Sequence, residues 1–106
     1  MISSNDTEWK ASKVPGVSVK RLRYDAESGA STALVRLAAG ARFPAHDHPA
    51  GEEVFVLEGD VKIGGEHLHA GDYLYTPPDG KHAAASDQGC VFLVTLPKPV
   101  VILEPS

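Results

Sequence analysis

The sequence predicts an all-β domain, a small sandwich or closed barrel, and three observations predict it. Short apolar and β-branched runs recur along the chain, broken by Gly, Pro and Asp turn signals roughly every eight to twelve residues. No window carries a sustained apolar repeat at the helical period. The 106 residues fit one domain with its own core and leave no room for a second. Closing such strands on themselves would also remove their exposed edges.

The elements follow in chain order. Residues 1–14 are mostly polar and read as an N-terminal arm with Trp9 as its anchor; residues 15–106 form the domain. After Pro15-Gly16, the segment Val17–Tyr24 alternates apolar and polar residues, as a half-exposed strand does. A second strand is expected over Ser31–Ala38, ended by Gly40. The run Val54-Phe55-Val56-Leu57, within Glu53–Glu58, suits a strand buried on both faces. Gly59-Asp60 and Gly64-Gly65 then break the chain at hairpin spacing. Short strands are expected near Glu66–His69, Tyr73–Thr76 and His82–Ser86, a longer one over Cys90–Leu96, and an edge strand over Val100–Leu103.

Composition narrows the partners. The net charge of −4 comes from interspersed acids and bases, so no basic stripe awaits phosphates and nucleic acid is not an expected partner. No apolar stretch reaches membrane-spanning length, and Met1–Lys13 has no apolar core of a signal peptide. Cys90 is the single cysteine, so no intrachain disulfide can form. A cytoplasmic protein is the expectation.

The chemistry concentrates in Gly40-Ala-Arg-Phe-Pro-Ala-His46-Asp-His48-Pro-Ala-Gly-Glu52-Glu53. His46 and His48 are two apart, so on an extended strand both imidazoles face one side. Pro49-Ala50-Gly51 can redirect the chain and bring the Glu52 carboxylate to the same point. A fourth donor is expected from a distant strand, and His82, after the rigid turn Pro77-Pro78-Asp79-Gly80-Lys81, is the natural candidate. Imidazole with carboxylate suits one divalent transition metal, Zn, Fe, Mn, Co or Ni, rather than Ca or Mg. Of the two neighbouring carboxylates, alternation lets only one face the donors, and spacing favours Glu52 over Glu53.

The runs G-x5-HxH-x3-E-x6-G (Gly40, His46, His48, Glu52, Gly59) and G-x6-PxG-x-H (Gly71, Pro78, Gly80, His82) resemble the two motifs of the cupin superfamily. The resemblance implies a small single-domain cupin, an RmlC-like jelly-roll β-barrel, with His46, His48, Glu52 and His82 as metal ligands. Two departures are visible. The second motif more often reads G-x5-PxG-x2-H, and its common closing Asn is Ser86 here. Within the superfamily, Leu34–Pro44, Gly51–Gly59 and Tyr75–Pro78 are most similar to the cupin domain of ChrR-type anti-sigma factors. ChrR itself is similar to a two-part protein whose helical domain grips the sigma factor; these 106 residues hold no counterpart to it, so anti-sigma activity is not an expectation. The resemblance also implies a homodimer, paired through the arm, Trp9 and the Val17–Tyr24 strand.

Other residues read more plainly. His67 and His69 flank Leu68 and should both point outward. Cys90 reads as a small core side chain. Phe43 and Phe55 are expected in the core, and Tyr73 and Tyr75 share one face with their hydroxyls at the rim. Arg36 is either a solvated outward arginine or an anion clamp lining the barrel. Three functions stay open: a structural or sensory metal site, as the ChrR resemblance suggests; a small metal-dependent dioxygenase of a diketone or hydroxylated aromatic substrate; and a non-catalytic binder of a small molecule in the barrel. Those dioxygenases typically use three histidines, and Glu52 departs from that. No nucleophile–base pair stands out, so catalytic residues are not assigned.

Overall fold

A computed structural model describes residues 1–103, so residues 104–106 of the expected domain, with Pro105 of its tail, lie outside the described residues. The described residues form ten strands: β1 (Lys10–Ala11), β2 (Val17–Tyr24), β3 (Ser31–Leu37), β4 (Arg42–His48), β5 (Glu52–Ile63), β6 (Glu66–His69), β7 (Tyr73–Thr76), β8 (Gly80–Ala85), β9 (Cys90–Leu96) and β10 (Val101–Ile102). Among the described residues the one helical element is a 3-10 turn, Ser4–Asp6. No helix there is long and apolar enough to cross a membrane.

All pairings are antiparallel, and they curl into a half-closed barrel around β5. One side runs β1-β2-β3-β9 to the first half of β5, with β7 on that half's other edge. The other side runs β10-β4-β8 to the second half of β5, which also pairs with β6. The enclosed core holds Val17, Ala33, Leu37, Val54, Val56, Val61, Ile63, Leu68, Ala84, Cys90, Phe92 and Val94.

β5 changes sides between its halves, and its burial pattern records the change. Glu52, Val54 and Val56 face inward at even positions, whereas Val61 and Ile63 face inward at odd ones. The parity flips because a bulge between Val56 and Glu58 inserts one residue against β9. Gly59 follows with a φ of 72°, and a Cβ there would lie 2.0 Å from the Gly89 carbonyl oxygen. Only glycine lets β5 pass β9 this closely.

Three expectations need correction. The run Val54–Leu57 is not buried on both faces: Phe55 and Leu57 are 42% and 46% exposed. In an antiparallel sheet only one face meets the core, and a short apolar run does not reveal which kind of sheet holds it. Phe55 is therefore not a core residue, while Phe43 is partly buried against the core. Tyr73 and Tyr75 do share a face, but it is the exposed outer face of β7 and not a packed rim; the Tyr73 hydroxyl donates to Glu53 at 2.7 Å. Arg36 is exposed, its guanidinium 4.4 Å over the Trp9 ring, which settles it as outward and leaves no barrel clamp. On Trp9's other contact, Lys20 Nζ lies 4.9 Å from the ring and donates to the Ser4 carbonyl at 2.7 Å. Cys90 is buried in the core, and burial raises its thiol pKa, as suits a packing residue.

Candidate metal centre

Three strands build the site: β4, the start of β5, and β8, which is distant in sequence. On β4, His46 and His48 alternate inward, and His46 lies directly opposite His82 on β8. A register shift between Phe43 and His46 absorbs one residue at Pro44, a place where a missing N–H costs the ladder nothing. After His48 the chain reverses: the Gly51 N–H donates to the His48 carbonyl at 3.0 Å. Gly51 has a φ of 86°, and a Cβ there would lie 2.8 Å from the Thr76 carbonyl oxygen. That turn delivers Glu52 as the first residue of β5, paired with Thr76 and facing inward.

The four side chains converge. One donor atom from each of His46, His48, Glu52 and His82 lies within 4.8 Å of the others. Bonds of roughly 2.0–2.2 Å from one central ion span about that spread. His46, His48 and Glu52 are buried, and the His82 side chain is 9% exposed. The imidazole centroids stand 4.3–5.0 Å apart. His46 Nδ1 lies 2.7 Å from the Pro44 carbonyl, and His48 Nδ1 lies 2.8 Å from the Gly80 carbonyl. A carbonyl can only accept, so both rings carry a proton on Nδ1 and, when neutral, turn a lone pair on Nε2 into the cluster.

His48 Nε2 is the revealing atom. It is buried, makes no hydrogen bond among the described residues, and sits 3.2 Å from Glu52 Oε2. His82 Nε2 sits 3.4 Å from Glu52 Oε1. A lone pair held against a carboxylate calls for a cation between them, a proton or a metal. The donor set therefore fits a divalent transition ion. Electrostatics agree. Burial opposes charge on Glu52, yet the contacts from His48 and His82 outweigh it and hold its pKa at about 2, fully ionised. Burial lowers the His46 pKa and keeps that ring neutral, despite its bond to Pro44. Burial also pulls His48 down, but Glu52 and the Gly80 carbonyl together raise it above its ordinary 6.5.

All four residues singled out by spacing meet here. Glu53 points to the outer face, exposed, and His67 and His69 stand outside at 45% and 65% exposure. The carbonyls of Pro44 and Gly80, which orient two of the rings, went unread in the sequence, because a backbone acceptor has no side-chain signature. A cavity of about 100 Å³ lies against the cluster, in the barrel interior where a small-molecule ligand is one of the expectations. His46, Glu52 and His82 form one wall, and Phe43, Phe92, Val94 and Leu96 are among the apolar residues forming the rest.

Residues 1–99 match the family model described as the ChrR Cupin-like domain. The chain is 32% identical over 88 residues to the DNA damage-repair/toleration protein DRT102 of Arabidopsis thaliana, covering 77% of this chain and 27% of that protein. It thus spans about a quarter of that relative's length. Among solved structures, a candidate acetylacetone dioxygenase of Methylibium petroleiphilum superposes with a TM-score of 0.91 at 23% identity, over 99% of this chain and 81% of that one. The complex of Rhodobacter sphaeroides SigE with the anti-sigma ChrR matches with a TM-score of 0.76 at 23% identity, over 87% of this chain and 50% of that one. At these identities the structural matches establish the fold.

Proposed function

Because the chain belongs to the ChrR cupin-like family, we propose that it is a metal-binding cupin domain in which His46, His48, Glu52 and His82 hold one divalent transition ion in a structural or sensory role. The observation that carries this reading is His48: one nitrogen tied to a carbonyl, the other buried, without a hydrogen bond and held 3.2 Å from a Glu52 carboxylate oxygen. Three neutral imidazoles and one carboxylate complete a four-ligand sphere of the kind zinc closes, and they also suit iron. Loss of the ion would leave an ionised carboxylate among imidazoles in a buried site, and that change in charge is what a sensor would transmit.

Elemental analysis of protein purified without a chelating tag tests the reading. Close to one equivalent of zinc or iron is expected, with most of it lost in His46→Ala, His48→Ala and His82→Ala. His69→Ala should keep it. Loss in His69→Ala with retention in His82→Ala would sink the assignment.

One observation favours a second reading, a small metal-dependent dioxygenase. The apolar cavity reaches three of the four donors, so a small ligand could approach a bound ion there. Such an ion would supply a site for dioxygen and for a chelating substrate. The likeness to the Methylibium protein supports the fold side of this reading. At about 100 Å³ the cavity is smaller than the roughly 150 Å³ that admits benzene, so a diketone, which is larger than benzene, would enter only with the apolar wall residues moved outward. Oxygen uptake by iron-loaded protein with pentane-2,4-dione would favour the second reading, and none above the iron-free control would favour the first.

A further inference from the structure

We propose that the outer face of the β5–β6 hairpin carries a second metal site, a chelating pair formed by His67 and His69 and oriented by Asp60, selective for Cu²⁺. On β6 the residue between them, Leu68, is 4% exposed and packs in the core. Alternation therefore turns both imidazoles to solvent on one face. Their ring centroids stand 4.5 Å apart with a 38° tilt, close enough for one ion to bridge them.

The surroundings are arranged as an outer shell. Asp60 lies opposite His69 across the ladder, and its Oδ2 is 2.7 Å from Nε2 of His67, the diagonal neighbour. An aspartate accepting one ring N–H fixes the tautomer and leaves the other nitrogen, Nδ1 of His67, as the stronger donor. Asp72 holds the main chain of His69 and not its ring. Its Oδ2 accepts the His69 backbone N–H at 2.8 Å and lies 4.0 Å from Nδ1 of the ring. Lys62, opposite His67, is the nearby cation, and its ammonium is turned to Asp87 at 3.3 Å. The face thus presents two imidazoles among carboxylates, with its lysine already paired.

Imidazole pairs bind first-row ions in an order that peaks at copper, so Cu²⁺ is the expected occupant and Zn²⁺ a weaker one. Two protein donors leave the rest of the sphere to water. Binding here should be weaker than at a four-donor cluster and should need no backbone rearrangement.

The test is a CuCl₂ titration of the full chain, isolated without a chelating tag, against the double variant His67→Gln, His69→Gln. Uptake is read by electron paramagnetic resonance and by paramagnetic broadening of backbone amide signals. The wild type should take one more equivalent than the double variant, with broadening centred on residues 60 and 67–69. Each single variant should bind that equivalent about tenfold or more weakly, and Asp60→Asn should weaken it by a similar factor. Equal uptake by wild type and double variant, or broadening that avoids β6, would overturn the proposal. These surface substitutions leave the core intact, so both outcomes read independently of His46, His48, Glu52 and His82.

Discussion

Glu52 and Glu53 carry the same carboxylate one residue apart, and the face of β5 each occupies separates their chemistry. Glu52 is buried against two imidazoles, while Glu53 accepts the Tyr73 hydroxyl in solvent. Glu52→Gln should weaken metal binding roughly ten- to a hundredfold or more, and Glu53→Gln should leave it near wild type. Equal losses in a competition titration would mean that the inward face of this strand is misassigned. The protonation states set a second expectation. His46 is held below 6.5, whereas His48 is held above it and gives up its proton after His46. Metal must displace that proton, so affinity should keep climbing as pH rises past 6.5 and collapse below it. A chromogenic chelator competition between about pH 5.5 and 8.5 would reveal this; a flat profile would contradict it. In the metal-free fold the signs differ by residue. The stability from Glu52 is present above its ordinary 4.5 and is lost as pH falls toward about 2. That from His48 is present below 6.5 and is lost as pH rises through its elevated value. At this scale the sequence was legible wherever a side chain does the work. Alternation put Glu52 and Glu53 on opposite faces, motif spacing chose Glu52, and alternation turned His67 and His69 outward. The carbonyls that set the tautomers of His46 and His48 depend on where Pro44 and Gly80 fall in three dimensions, which no residue type encodes.

Among the elements, β5 decides the architecture, since it serves both sides of the barrel. Its crossing depends on the bulge after Val56 and on Gly59 at positive φ against the Gly89 carbonyl. Gly59→Ala adds a backbone penalty and a clash that no flexible side chain can relieve, so about 2–4 kcal/mol of stability should be lost. Gly65→Ala, whose Cβ would meet nothing within 4 Å, is the matching control and should be close to neutral. Urea unfolding of the two variants makes the comparison; equal midpoints would show that the crossing tolerates a side chain. Strand positions were largely legible: β2, β6, β7 and β9 fall on the expected residues, because alternation and Gly or Pro breaks mark them. β5 was read as a strand but with the wrong exposure. Four consecutive apolar residues look alike whether one face or two are covered, and the parity change at its bulge is a property of pairing. The short β1 was not expected, since its pairing with β2 leaves no apolar trace in Lys10 and Ala11.

For the molecule as a whole, the apolar core and the polar cluster are separate assets. The core runs from Val17 to Val94 without using any of the four donors, so the chain should fold with its metal removed. An ion bound only to the native state adds RT ln(1 + [L]/Kd), about 2.7 kcal/mol at a hundredfold excess over Kd. Chelation should therefore lower the melting temperature and preserve a cooperative transition; loss of the transition would mean that the ion is needed for the fold itself. The pairing of His46 with His82 bears on when that stabilisation is felt. These two residues meet only after β8 has returned to lie beside β4, with β5, β6 and β7 already traversed between them. Closing that long loop is a late, entropically slow event in a topology dominated by distant contacts. If β8 docks onto β4 only after the rate-limiting barrier is crossed, the ligand set contributes nothing to that barrier. Stopped-flow measurements should then find refolding at the same rate with or without zinc, and unfolding slowed by nearly the whole equilibrium gain. The ion would act as a latch on a finished barrel and not as a template for building one; zinc-accelerated refolding would reverse that order of events.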